Sequence, residues 1–411
     1  MTLTNTFIKK ISPAQLFMGS ALLVNGGNYL YNLALGRILG PEAFAEAALL
    51  ITLLLVLSFV GMTFQLVTAK FAVLFSEEDY AHFQNTIYSY ALTFGLVIGT
   101  MVVYFAPELQ TLFRTQNTGM FTIFGIGIPI YFLMSVNRGK FQGFQDFGRL
   151  SFTYQTEMWS RLAITITLLV LLPFEPSILV ALGIGISFLF GLIPIDMRRV
   201  KVYTKNKLSK EKSKKVLQFI GLTAGYELTQ IIINNSDILL VKHYFDALDA
   251  GLYASLALIG RVVYFVAWMF VMLLLPKVVQ RHKDGEPTVP VLSKYIGLIG
   301  LLSFGIVLAC YLFPQPIINL LFGEAYLSMG PLLWQYALAT SLFAISNIFA
   351  YYFLSLDHYI PILLSGILGI SQVLLIIIFH SSLTMIVQIQ IVVMIALLVA
   401  QALYFFSKSI K

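Results

Sequence analysis

Charge is scarce in this sequence. Only 11% of its 411 residues are Asp, Glu, Lys or Arg, 58% are apolar, and the mean hydropathy is +0.86. Soluble domains carry roughly 25% charged residues, so a water-exposed globule is excluded and the chain belongs in a bilayer. Cysteine is nearly absent too: Cys310 stands alone in an apolar run, which excludes a disulfide framework and a thiolate metal site within one chain and reads as small apolar filler. The five histidines, His82, His243, His282, His358 and His380, lack the spacing and acidic neighbours of a metal site and read as boundary residues. There is no P-loop, nucleophile elbow or Asp-rich metal motif, so ATPase and hydrolase chemistry are not written here.

What is present in quantity is the long apolar run. A helix crosses about 30 Å of hydrocarbon with about 20 apolar residues. Twelve such windows are read at 15–36, 44–68, 85–105, 119–136, 152–172, 177–195, 217–241, 251–275, 293–313, 331–353, 360–379 and 384–405. The first is long enough to span and no small-residue cleavage site follows it, so it is expected to insert and stay. If the N-terminus is cytoplasmic, 21 of the 26 lysines and arginines fall on the inner side, Arg138, Lys140 and Arg149 among them. Arg37, Arg114 and Lys242 fall outside, and Arg161 and Arg261 lie within spans. The positive-inside rule therefore predicts that both termini are cytoplasmic.

The polar stretch from Asp196 to Lys215, "DMRRVKVYTKNKLSKEKSKK", separates six spans from six. It predicts a lobe at 1–195, a basic cytoplasmic linker at 196–215 and a second lobe at 216–411. The linker's charge fits topology and anionic lipid headgroups, and nucleic acid is not expected as a partner. A weak internal repeat supports the division: "LALGRILGPEAFAEAALLI" from Leu33 aligns with "ILLVKHYFDALDAGLYASLALI" from Ile238, placing Arg37 on Lys242 and Asn32 on Asp237. Six-plus-six repeats are a common transporter construction with the substrate path between the halves.

Polar groups inside the spans mark candidate sites, because a charge facing lipid costs about 2.5 to 3.5 kcal/mol on insertion scales. In the seventh span Glu227, Gln230, Asn234 and Asp237 stand at i, i+3, i+7 and i+10 and share one helix face. Asn235 and Ser236 fall off that stripe. Asn25, Asn28 and Asn32 repeat the spacing in the first span without charge. Such amides serve either as glue between helices or, with Glu227 and Asp237 included, as the wall of a polar cavity. Glu157 and Arg161 in the fifth span have ion-pair spacing. Arg261 in the eighth has no acid within reach on its own helix, so its anion is Glu227, Asp237 or a substrate phosphate. Tyr226, Tyr264 and Trp268 near the stripes could stack on sugar rings.

Four stretches carry a resemblance: "YNLALGRILGPEAFAEAALLITLLLVLSFVGM" from Tyr31, "NRGKFQGFQDFGRLS" from Asn137 with the following Arg161, "NNSDILLVKHYF" from Asn234, and "DAGLYASLALIGR" from Asp249. With Arg37, Leu39, Gly40 and Phe44 after the first span, the chain resembles the oligosaccharide flippase family of the multidrug, oligosaccharidyl-lipid and polysaccharide exporter superfamily. That resemblance implies an all-α membrane protein whose twelve transmembrane helices form two six-helix lobes around a central cavity. It also implies a non-enzymatic transporter in the cell membrane that moves a polyprenyl-diphosphate-linked oligosaccharide outward by alternating access, working with polysaccharide polymerase and glycosyltransferases. By the same analogy Arg37, Arg161, Lys242 and Arg261 are the positions that would hold the diphosphate, while Asn25, Asn28, Asn32, Gln230 and Asn234, read from their spacing, are the further candidates for contact with substrate. No cofactor is expected. Na⁺ or H⁺ coupling would fall to Glu227, Asp237 or Glu157, because intramembrane carboxylates commonly serve that role. The alternatives are a cation-coupled multidrug exporter of the same superfamily and a membrane sugar polymerase. The longest outer loop, Phe313 to Gly330, holds one acid, Glu324, and no base, which gives a polymerase little to work with.

Overall fold

Pro41 has no N–H to continue a helix, and Gly40 before it tolerates a backbone that other residues resist. The chain bends there. In the computed structural model, which describes residues 13–195, 208–356, 358 and 360–409, α1 (Pro13–Leu74) is two arms that meet at Gly40, with φ 72° and ψ 173°. Its apolar stretch Leu16–Leu74 runs for 59 residues, enough for two crossings.

The chain continues through α2 (Glu77–Tyr104), the short α3 (Ala106–Phe113), α4 (Gly119–Gly143), α5 (Phe147–Leu171) and α6 (Pro176–Leu192). Then follow α7 (Lys210–Tyr244), α8 (Ala247–Gly260), α9 (Val262–Lys283), α10 (Val289–Leu312), the short α11 (Pro314–Leu321), a 3₁₀ turn (Glu324–Met329), α12 (Gly330–Leu354), α13 (Ile360–Ile378) and α14 (Leu383–Ser409). No strand occurs among the described residues, and nine helices there are long and apolar enough to cross a membrane. The protein is an all-α, multi-pass membrane protein.

Each expected span lies on this helical framework, with three differences. The eighth is not one helix: it breaks at Arg261 between α8 and α9. Thr340 Oγ1 on α12 donates to the Gly260 carbonyl at 2.7 Å, beside the break. A Cβ on Gly260 would stand 2.4 Å from the Tyr336 ring, so only glycine allows this approach. The outer segment Phe313–Gly330 is not an open loop but α11 and the 3₁₀ turn. The basic linker falls mostly on 196–207, outside the described residues, while Lys210–Lys215 is already the start of α7.

The described chain forms two compact units, one of residues up to Leu35 with Leu53–Glu227, the other of Gly36–Thr52 with Leu228–Lys411. The boundary therefore cuts both α1 and α7. In the first unit, the opening turns of α7 pack through Phe219, which meets Phe71 edge-on and lies 3.7 Å under Lys70 Nζ, while Lys212 pairs with Asp79. In the second, the Gly40 bend is held by Phe322 against Gly36 and Phe44, by Tyr326 OH donating 2.7 Å to the Gly36 carbonyl, and by α8, where Gly251 lies under the Pro41 carbonyl. The two halves of the sequence repeat share this construction: α1 breaks at Gly40, and α7 breaks at Asp246, whose side chain caps α8 by accepting from Asp249 N at 2.8 Å.

Candidate functional site

In the first unit, α4 and the second arm of α1 approach closely because Gly139 and Gly143, one turn apart, present bare backbone to Gln65, Thr68, Ala69 and Ala72. That contact carries Arg138 into the bundle. Its Nη2 donates to Glu157 Oε2 at 2.7 Å and to the Thr153 carbonyl at 2.9 Å, its Nε to Thr153 Oγ1 at 3.1 Å, and its guanidinium lies 3.9 Å over the Tyr154 ring. Glu157 Oε1 accepts from Arg161, one turn along α5. The other donors of Arg161 are loosely engaged, with Ser187 Oγ on α6 at 3.4 Å and Asn28 Oδ1 on α1 at 3.5 Å. Two buried guanidiniums thus share one carboxylate, and the cluster carries one positive charge in excess.

Arg138 corrects the sequence reading, which placed it in a loop. The spacing of Gly139 and Gly143 is a signal for close helix packing that would have extended the fourth span past 136. Glu157 and Arg161 do pair, as their spacing predicts, but within a three-membered cluster.

In the second unit the anion of Arg261 is Asp237. Arg261 Nη2 donates to Asp237 Oδ1 at 2.9 Å, its Nε to Tyr336 OH at 3.2 Å and its Nη1 to Asn235 Oδ1 at 3.5 Å. Asp237 Oδ2 accepts from Tyr336 OH at 2.7 Å, Gln390 Nε2 at 2.9 Å and Tyr253 OH at 3.1 Å. Asp237 is 1% exposed and Arg261 8%. Burying two charges is offset only when their remaining hydrogen-bonding positions are filled, as they are here by groups from α7, α8, α12 and α14. Beside the pair lies a cavity of about 20 Å³, lined by Asn234, Asp237, Arg261, Thr340, Gln372 and Gln390, with room for a single water-sized particle.

The remaining predicted residues take varied positions. Of the stripe on α7, Asn234 and Asp237 line the cavity and Gln230 is buried, its Oε1 without a hydrogen-bond partner among the described residues. Glu227 is half-buried and makes no hydrogen bond or ion pair among the described residues. Asn32 Nδ2 and Asn234 Nδ2 each donate 2.8 Å to the carbonyl one turn earlier, so part of their polarity is spent on their own helices. Asn25 is exposed. Asn235, expected off the polar face, nevertheless accepts from Arg261 Nη1 at 3.5 Å.

Lys242, expected at the outer surface, is 2% exposed inside the second unit. Arg37 is exposed and donates 3.1 Å to the Asn319 carbonyl on α11. Tyr264 stacks on Phe343 at 5.4 Å, while the side chains of Tyr226 and Trp268 lie outside the described residues. Tyr253, Tyr336 and Gln390 escaped sequence reading because each is a lone polar group in an apolar helix, with no spacing to mark it. No group of three metal-ligating side chains occurs among the described residues.

Residues 34–331 match the family described as polysaccharide biosynthesis protein. No curated protein matches the chain. Among solved structures, the lipid II flippase MurJ in an inward closed conformation matches with a TM-score of 0.76 at 14% identity, over 96% of this chain and 87% of that one. An inward-facing multidrug resistance MATE family transporter of the MOP superfamily matches at 0.74 and 14% identity, over 92% and 94%. A MOP superfamily transporter from Pyrococcus furiosus matches at 0.55 and 14% identity, over 95% and 93%. At such identities the likeness is one of fold.

Proposed function

Since the chain belongs to the polysaccharide biosynthesis protein family and has the fold of these transporters, we propose that it carries a polyprenyl-diphosphate-linked oligosaccharide from the inner to the outer leaflet of the cell membrane by alternating access. The observation that carries this reading is the spare positive charge of the Arg138, Glu157 and Arg161 cluster. A buried cationic excess is costly in a bilayer unless an anion visits it, and a diphosphate is such an anion, recognised by the forked donors of arginine. Arg161, with two long hydrogen bonds, is the donor that such a ligand can recruit. A cationic drug would be repelled, which places the multidrug exporter second.

The membrane potential favours the direction. Two negative charges moved outward across 100 mV, inside negative, release about 4.6 kcal/mol at roughly 2.3 per charge. Resetting the carrier falls to Na⁺ or H⁺ at an intramembrane acid. Glu227 is the first choice because it has no partner to displace among the described residues, whereas Asp237 and Glu157 are already engaged by arginines. Both termini face the cytoplasm, where glycosyltransferases assemble the substrate, and the polymerase receives it outside.

The test is reconstitution with a lipid-linked oligosaccharide. Transbilayer movement is expected to exceed that of empty liposomes and to fall at least tenfold in Arg161→Gln; no acceleration by the wild-type protein rejects the reading. Glu227→Gln is expected to abolish dependence on a Na⁺ or pH gradient while leaving binding intact.

A further inference from the structure

Outside the two clusters above, one cationic cleft is lined by basic residues from two different helices. Where α9 ends and α10 begins, a cleft of about 460 Å³ is lined by Lys277, Arg281, Pro290, Val291, Lys294 and Tyr295. Lys277 and Arg281 stand one turn apart on α9, and Lys294 faces them from the second turn of α10. Lys277 and Lys294 are exposed and make no ion pair among the described residues. Arg281 is held in the wall of the cleft by Glu286 at 3.4 Å and by the Pro287 carbonyl, also at 3.4 Å. Among the described residues, Glu286 is the one acid that pairs with any of these three cations. The floor is aromatic: Tyr295 is buried, packs edge-on against Phe270 at 6.2 Å, and lies 6.0 Å from Lys277 Nζ.

The geometry points to a binding site for the phosphate group of a membrane-embedded anion. Three features select that chemistry. Basic residues flank the cleft on two helices, so a ligand can be gripped from both sides. The cleft sits where the apolar runs of two helices end, the position at which headgroups meet a membrane span, and basic pockets between helices there bind anionic headgroups. Pro290 and Val291 of the N-terminal turn of α10 line the cleft, so the positive end of that helix dipole adds to the potential there. Neither the Arg138 nor the Asp237 cluster contributes to it, so the inference does not rest on the transport reading. A bulk anionic phospholipid and the phosphates of a lipid diphosphate present the same group and would use the same residues.

The experiment uses the full chain in nanodiscs of phosphatidylcholine doped with phosphatidylglycerol, with a prenyl diphosphate, or supplied with inorganic phosphate, and reads bound ligand by native mass spectrometry and titration. The variants are Lys277→Gln with Lys294→Gln, the charge-keeping Lys277→Arg with Lys294→Arg, and a control that removes the same charge elsewhere, Lys214→Gln with Lys408→Gln. At about 1 kcal/mol per basic residue near an anionic surface, the glutamine pair is expected to weaken binding about 30-fold, with the arginine pair and the control near wild type. Whichever dopant shows that loss identifies the source. Equal binding by wild type and the glutamine pair for all three ligands, or an equal loss in the control, overturns the site.

Discussion

Asp237 receives hydrogen bonds from four side chains on three helices besides its own, and among the described residues it alone neutralises Arg261. Removing one partner of a buried pair costs about 3 to 5 kcal/mol because the other charge is left uncompensated. Asp237→Asn should therefore lower stability by that order in thermal unfolding. Combining it with Arg261→Gln should recover about 2 kcal/mol, the coupling that a double-mutant cycle isolates. Additive losses would show that the pair is not the source of the effect. Glu157 has a heavier task, since it separates two guanidiniums. Glu157→Gln should cost about 3 kcal/mol or more, and Arg138→Leu in the same chain should restore part of it by removing the repulsion. If Arg138→Leu deepens the loss instead, the guanidinium is held by Thr153 and Tyr154 more than by the carboxylate.

At the scale of elements, the bends matter more than the straight runs. Gly40 occupies φ 72° and ψ 173°, a region essentially reserved for glycine, so Gly40→Ala should cost about 1 to 3 kcal/mol. Gly251 faces a stricter limit, because an added Cβ would lie 1.7 Å from the Pro41 carbonyl and backbone cannot step aside as a side chain can. Gly251→Ala should cost about 3 kcal/mol, the upper end for overpacking, and should lower the yield of folded protein more than Gly40→Ala does. Size-exclusion profiles and melting temperatures of the two variants decide this order. Thr340→Val removes the hydroxyl that holds the Gly260 carbonyl, and about 1 kcal/mol of stability is expected to go with it.

For the whole molecule, the distribution of lysine and arginine predicts orientation. A fluorescent protein fused after Lys411 should fluoresce, and alkaline phosphatase at the same point should be inactive; active phosphatase would reverse the orientation. The order of the spans was legible because a bilayer imposes one rule, length of apolar run, on every helix. The ends of those helices were less so. Arg138 and Lys210 to Lys215 read as loop and linker by their charge, yet both are helical, because a helix continues past its apolar run wherever glycine packing or basic side chains at the interface support it.

The sequence by itself determined that the chain is helical, crosses the membrane many times, and carries charges where lipid forbids them, since composition and periodicity are local properties. It also named two members of each buried cluster, Glu157 with Arg161 and Asp237 with Arg261. Which anion Arg261 meets, that Arg138 joins Glu157, that Tyr253, Tyr336 and Gln390 complete the shell of Asp237, and that Lys277, Arg281 and Lys294 share a cleft were decided by tertiary structure alone. Those partners come from helices tens to more than a hundred residues apart, and the requirement that every buried charge find its counter-charge and donors can be met by many assignments on paper, but by one once the helices are packed.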